Sequence, residues 1–356
     1  MKSVLCTLFG FNYLDKGLAL YESLEKVAGN FVLYALAMDD DCFNYLSECK
    51  YDSLVPIRLP DFENSDLLEA KGNRSFGEYC WTCSSSLIKY VLDLYGEPWC
   101  AYIDADMYFY SDPAVLFREL EERHASILLT GHRFSRFEKD REKSVGRFCV
   151  EFNLFRNDAD ARRLLDEWIF KCLDECSAEE GSSSFGDQTY LDEWVDRNDF
   201  VIETHNPGAG VAPWNISQYK LVSHDESSGG YRLRIGKQEV DLVFFHFAGL
   251  KYLNRNLADI SLYYYWGIDD SFVVPLYEDY LGALEKYKQE IFDRTGLEIL
   301  LKSHPAFNRK RLSLPEKAKA LAGRLLSKGG LRHFFYVEVP QKIKQKKNLI
   351  AVPGRE

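Results

Sequence analysis

No apolar run in this 356-residue chain approaches the roughly 20 residues needed to cross a bilayer; even Phe31–Met38 is far too short. A secretory signal is also missing, because Met1-Lys-Ser-Val-Leu-Cys-Thr-Leu-Phe9 leads straight into a predicted strand. The nine cysteines are odd in number and scattered singly. Cys80-Trp-Thr-Cys83 has no second pair to complete a zinc site, so free thiols in a reducing cytosol are expected. There is no GxxxxGK[ST] phosphate loop, no GxSxG elbow, and no repeat with a period of 20–50 residues. Asn206-Pro-Gly-Ala-Gly210 lacks the third glycine of a dinucleotide fingerprint.

Charge of one sign is scarce where it would serve nucleic acid. The net charge is −11, and it is unevenly spread. Residues 302–356 hold 14 Lys/Arg against Glu316, Glu338 and Glu356, a net +11, which leaves −22 on the first 301 residues. An acidic body excludes broad phosphate-backbone binding, so no nucleic-acid partner is expected. The basic end points to an anionic membrane surface or to a merely solvated helix. Pro315–Lys328 sets Ala318, Leu321, Ala322, Leu325 and Leu326 on one face, as in a basic amphipathic helix. Apolar residues at 46% suffice for a large core, and the 15% aromatics serve a core or a sugar-handling cleft.

The first hundred residues alternate between strand and helix patterns. Ser3–Phe9, Phe31–Met38, Leu54–Leu59 and Trp99–Ile103 read as buried strands, and Leu14–Val27 and Tyr79–Tyr95 as amphipathic helices. This is an α/β pattern, with helices flanking a mostly parallel sheet and ligands at the carboxyl ends of the strands. A helix after Pro113, strands near Ile127–Thr130 and Phe148–Phe155, and a helix over Ala159–Cys176 follow. Ala178–Ser184 reads as a loop, and Asp241–Phe245 as a last apolar strand ending at His246.

The chemistry centres on Asp104-Ala105-Asp106. Asp-Xaa-Asp alone is weak, since Asp39-Asp-Asp41 and Asp158-Ala-Asp160 repeat it. Only Asp104 and Asp106 follow a buried strand, where residues i and i+2 point the same way. Two carboxylates there are costly to desolvate unless a cation joins them, although a capped strand end is the alternative. His246 closes a later strand and supplies a third ligand, or else is a structural histidine. Gly249 permits backbone approach to a phosphate, and Lys251 offers it a point charge. Mixed oxygen and nitrogen ligation suits Mn2+ slightly better than Mg2+.

A strand-terminal Asp-Xaa-Asp, the late His246-Xaa-Xaa-Gly249-Xaa-Lys251 and the early Asn12-Tyr13 together resemble the family 8 retaining glycosyltransferases. That group includes bacterial lipopolysaccharide galactosyl- and glucosyltransferases and glycogenin. The resemblance spans about residues 3–255. It implies a GT-A fold, a mixed sheet flanked by helices, over 1–255, followed by a helical extension over 256–301 and a basic tail over 302–356. It also implies metal-dependent transfer from a nucleotide-sugar donor, UDP-linked, to a saccharide or lipid-linked acceptor. Asp104, Asp106 and His246 would hold the metal. Thr7, Asn12, Tyr13, Asp39, Lys89, Ala105, Gly249 and Lys251 would contact the donor, while Asp187 and Gln188 would flank the anomeric carbon. Asp187 could equally cap a helix over 187–197. One departure stands out: where relatives carry Asn-Xaa-Gly, this chain has Cys149-Val-Glu151. A sugar nucleotidyltransferase, or an inactive nucleotide-sugar or carbohydrate-binding module, remains the alternative reading.

Overall fold

The computed structural model describes residues 1–178, 185–225, 227–254, 257–260, 262, 267–299 and 349–351. The helix expected over Pro315–Lys328 and most of the loop expected over Ala178–Ser184 lie outside the described residues. The first half runs β1 (Ser3–Phe9), α1 (Leu14–Val27), β2 (Phe31–Ala37), α2 (Asp40–Cys49), β3 (Leu54–Arg58), α3 (Leu59–Phe62), α4 (Ser65–Lys71), α5 (Phe76–Leu94) and β4 (Trp99–Ile103). The middle continues with β5 (Met107–Phe109), α6 (Ala114–Glu122), β6 (Ile127–Gly131), α7 (Glu142–Val145), β7 (Phe148–Arg156), α8 (Ala159–Asp174), α9 (Trp194–Arg197) and β8 (Val201–Glu203). The remainder comprises β9 (Tyr219–Asp225), β10 (Gly230–Ile235), β11 (Gln238–Asp241), β12 (Phe244–His246), β13 (Lys251–Asn254), β14 (Leu257–Asp259), α10 (Asp270–Thr295) and β15 (Leu349–Ala351).

The central sheet has seven strands in the order β3-β2-β1-β4-β7-β6-β8. β1, β2, β3 and β4 are parallel, as are β6 and β8, whereas β7 runs antiparallel to both of its neighbours. This is the mixed sheet flanked by helices, with a further helix on its C-terminal side, that the GT-A resemblance implies. The sheet is mostly parallel, as expected: β6 and β8 share the direction of β1–β4, and β7 is the one reversed strand in it. The cause is local: the chain returns from β6 through residues 132–147 and pairs back against β6, and such a return needs no crossover helix on the sheet face. β1, β2 and β4 are buried along their whole lengths, which explains their continuous apolar runs.

Helix starts follow their caps. Asp39 caps α2 through Cys42 N–H, Asp158 caps α8 through Ala161 N–H, and Ser75 with Glu78 forms a capping box on α5. Two of the three Asp-Xaa-Asp triplets are therefore helix starts. The apolar run Asp241–Phe245 divides: Asp241 ends β11, and the strand that ends at His246 is β12, Phe244–His246, with β13–β15 still to follow. A continuous helix over 187–197 is replaced by a short turn at Thr189–Leu191 and the four-residue α9. In α10, Phe272, Leu276, Tyr280 and Leu284 are fully buried in the same core as β1 and α1. All nine cysteines are free thiols.

Candidate functional site

Because β1, β2 and β4 are parallel neighbours, Gly10, Asp39 and Asp104 emerge on one edge of the sheet. Beyond β4 the chain turns at once into β5, and β12 pairs antiparallel with β5, setting His246 opposite Met107. That register, tightened by the Phe247 N–H donating to the Asp106 carbonyl at 2.9 Å, brings an imidazole 140 residues away onto the Asp-Xaa-Asp turn. His246 Nε2 lies 3.1 Å from Asp106 Oδ1 and 3.7 Å from Asp104 Oδ2. One ligand atom from each of the three residues falls within 4.8 Å of the others.

Two residues that sequence reasoning did not place in the site complete the cluster. Glu151, wholly buried on β7, accepts from His246 Nδ1 at 2.8 Å. Lys16 of α1 sets its ammonium 4.0 Å from Asp106 Oδ2 and over the Tyr13 ring. The available signal for Glu151 was a charged residue inside an apolar strand. For Lys16 it was a cation sharing a helix face with Leu20 and Leu24.

Burial pushes the Asp104 carboxyl up to about 7, reinforced by Asp106, Asp187 and Glu151 and opposed by His246. Burial acts the same way on Asp106, but the charge and hydrogen bond of His246, helped by Lys16, hold it below the ordinary carboxylate range. For His246 burial disfavours the proton, yet Asp106, then Cys149 and Glu151, keep the imidazole protonated well above its usual value. The burial penalty on Lys16 is likewise overcome, by Tyr13, Asp106 and Asp15. A carboxylate–imidazolium–carboxylate chain results, half open to solvent on the side of Asp104 and closed on the side of Glu151.

The remaining predicted residues are distributed as follows. Asn12 and Tyr13 form a turn immediately after β1. Asp39 ties that turn down, accepting from Phe11 N–H at 2.8 Å while capping α2. Thr7 is fully buried in β1, and Ala105 is buried between the two carboxylates. Gly249 has φ +81° in the turn after His246, and Lys251 opens β13. Asp187 is buried, with its carboxyl accepting from Ser84 Oγ at 2.6 Å and its carbonyl from Trp168 Nε1 at 2.8 Å. Burial pushes its carboxyl up to about 7, partly offset by Ser84. The Gln188 side-chain amide donates to the Val145 carbonyl. Lys89 is not brought to the cluster; its ammonium pairs with Asp93 and Asp166 at 3.3 and 3.2 Å between α5 and α8.

The segment Asn206–Asn215 packs beside β12, with the Val211 carbonyl accepting from His246 N–H at 3.0 Å. Asn215 holds it rigid, accepting from Ala212 N–H and donating to the His132 and Gly210 carbonyls. Trp214 stands perpendicular to the His246 ring at 5.5 Å, and His132 stacks on Phe134 behind it. Burial lowers His132 to about 3, so it packs as a neutral ring.

Sequence comparison identifies two relatives in Bacillus subtilis strain 168. The uncharacterized protein YfnF is 30% identical over 298 residues, covering 82% of this chain and 95% of YfnF. The chain belongs to the YfnF family. The uncharacterized protein YfnD is 29% identical over 289 residues, covering 80% of this chain and 89% of its own length. No family model matches the chain. Among solved structures, partial likenesses extend to apo mouse xyloside xylosyltransferase 1 (13% identity, TM-score 0.43, 70% of this chain and 98% of that one). They extend also to the apo WbbM bifunctional glycosyltransferase (12%, TM-score 0.47, 83% and 52%). Among the described residues no helix is long and apolar enough to cross a membrane.

Proposed function

We propose that this YfnF relative is a metal-dependent glycosyltransferase of the family 8 type. It would move a sugar from a nucleoside-diphosphate donor, UDP-linked, to a saccharide or lipid-linked acceptor with retention, in surface polysaccharide or lipopolysaccharide synthesis. The observation that carries the reading is the Asp104–Asp106–His246 cluster at the strand-end edge of the sheet. Its donor set of two carboxylates and one imidazole nitrogen fits Mn2+, or Mg2+ with a poorer nitrogen match. The two other Asp-Xaa-Asp triplets are accounted for by helix caps.

A divalent ion bound there would supply Lewis acidity toward the donor diphosphate. The chain's own residues perform the rest. The turn at Gly249 exposes backbone for phosphate approach, and Lys251 adds a fixed positive charge. Asn12 and Tyr13, tied by Asp39, edge the nucleotide side. Ser84 fixes Asp187 to orient a sugar hydroxyl, and Gln188, with its amide nitrogen already engaged, has its carbonyl oxygen left for the anomeric centre. The sugar–phosphate C–O bond breaks while an acceptor C–O bond forms on the same face, and the departing phosphate takes the acceptor's proton. The basic end beyond residue 301 would hold the enzyme on the anionic cytoplasmic face of the membrane.

The test is calorimetric titration of UDP and GDP, with and without Mn2+, on wild type and His246→Ala. Manganese-dependent UDP binding that disappears in the variant is expected. Tight binding without metal, or no nucleotide binding, overturns the reading. Vesicle pelleting of a chain cut at 301 tests the membrane contact, which fails if the truncated chain still binds anionic vesicles.

A further inference from the structure

Cys149-Val-Glu151 departs from the pattern of the resembling family, and the structure turns that departure onto the candidate metal site. In the central sheet β7 alone is antiparallel to both of its neighbours, and it runs beside β4 with Ile103 opposite Phe152. The Glu151 carbonyl accepts from Asp104 N–H at 3.2 Å, so the backbone carrying Glu151 touches the backbone carrying the first carboxylate. The Glu151 side chain then reaches the far side of the imidazole, 2.8 Å from Nδ1.

We infer that Glu151 is the positioning residue of the metal-binding histidine: it fixes Nδ1 as the protonated nitrogen of His246 and aims Nε2 at Asp104 and Asp106. A carboxylate oxygen can only accept, so in the metal-free imidazolium Nδ1 donates to Glu151 and Nε2 faces the two aspartates at 3.1 and 3.7 Å. A cation on the aspartates would displace the Nε2 proton, and Glu151 then holds the remaining one on Nδ1. A carboxylate behind a ligating imidazole also raises its basicity, and losing such a partner typically weakens metal affinity about 10–100-fold. Trp214, perpendicular to the ring at 5.5 Å, restrains the imidazole against rotation, so the ring plane and its donor atom are both held. Glu151 is buried completely, one of its oxygens has no hydrogen-bond partner, and a buried carboxylate is destabilising without compensation. A strand selected for stability alone would carry an apolar residue there.

This inference rests on the metal reading above, and its test separates the two. Mn2+ affinity is measured calorimetrically on the full chain as wild type, Glu151→Gln and Glu151→Ala, with circular dichroism confirming the fold. The His246 tautomer is read from its ring 15N shifts in the metal-free protein at a pH where the wild-type ring is neutral. The expected result is a 10–100-fold loss of Mn2+ affinity in Glu151→Ala, with Glu151→Gln recovering much of it because an amide oxygen still accepts from Nδ1. The neutral ring should carry its proton on Nδ1 in wild type and in Glu151→Gln, and lose that preference in Glu151→Ala. If folded Glu151→Ala binds Mn2+ as tightly as wild type with the same tautomer, the positioning role is wrong while the metal site stands. If wild type itself binds no Mn2+, the metal reading fails, and an unchanged tautomer in Glu151→Ala would overturn the positioning role as well.

Discussion

Replacing Asp187 by asparagine should make the protein more stable above neutral pH and leave it nearly unchanged near pH 4. Asp187 is buried, and its carboxyl is raised to about 7 from an ordinary 3.8, chiefly by desolvation. An acid whose folded value lies above its unfolded value binds its proton more tightly in the native state. Its contribution is therefore fully present below about pH 4 and is lost as pH rises through about 7. Each unit is worth about 1.4 kcal/mol, so the three-unit gap caps the loss at about 4 kcal/mol above neutrality. Asparagine keeps an acceptor for Ser84 Oγ, which donates at 2.6 Å, and carries no charge to desolvate. The assay is urea unfolding of both proteins in EDTA at pH 5, 6, 7 and 8. The stability difference, variant minus wild type, should grow by a few kcal/mol between pH 5 and 8. Parallel pH profiles would refute the argument, because they would mean that Asp187 ionises in the fold as easily as in the unfolded chain.

Asp104→Asn should raise stability in EDTA at pH 8 by about 1–2 kcal/mol, because a carboxyl pushed up by burial and by three acidic neighbours is removed. It should also abolish the thermal shift caused by Mn2+; a variant less stable in EDTA than wild type would contradict this. Tyr280→Phe should be neutral or stabilising by up to about 1 kcal/mol, since the buried hydroxyl has no partner while the ring stacks on Phe247 at 3.8 Å. A thermal midpoint lowered by several degrees would count against it. Gly210→Ala should cost about 2–4 kcal/mol in urea, because φ is +69° and a Cβ would lie 2.6 Å from Thr130 Cγ2 and 2.9 Å from Glu151 Oε1. Wild-type stability in that variant would mean that the loop relaxes freely.

What the sequence made legible divides along the range of the interaction. β1, α1 and β4 are readable to the residue because burial on both sheet faces, or along one helix face, writes itself into adjacent positions. The Asp-Xaa-Asp turn is readable for the same reason, since a buried strand is local. The strand pairing of β5 with β12, only three residues long on each side, is not, because its register depends on partners more than 130 positions apart. β9, β10 and β11 also leave a faint trace: their exposures vary without clean alternation, and a bulge shifts the register at Arg232/Leu233. α2 carried its signal openly in Asp39, whose capping role is obscured when the residue is weighed only as a ligand-binding carboxylate. Lys89 shows the converse error. It stands at a sequence position that fits a donor contact, but the helix turns it toward Asp93 and Asp166.

The cluster around His246 is hard to explain as structure alone. Asp39 and Asp158 satisfy helix starts at little cost, and a capped strand end was the bland reading for Asp104 and Asp106 as well. Instead the fold spends three acidic side chains on one imidazole, with Lys16 as the only further cation within reach of Asp106 among the described residues. Acidic neighbours raise Asp104 against its own ionisation, so the arrangement works against the stability of the metal-free chain. A divalent cation reverses that sign, because each nearby carboxylate then adds attraction rather than repulsion. Local choices that conflict with folding are expected where a ligand supplies the compensation. On that logic Glu151 and the Asp-Xaa-Asp pair belong to one device: the aspartates provide the charge, and the glutamate keeps the proton on Nδ1 so that a cation displacing the Nε2 proton would meet a lone pair there.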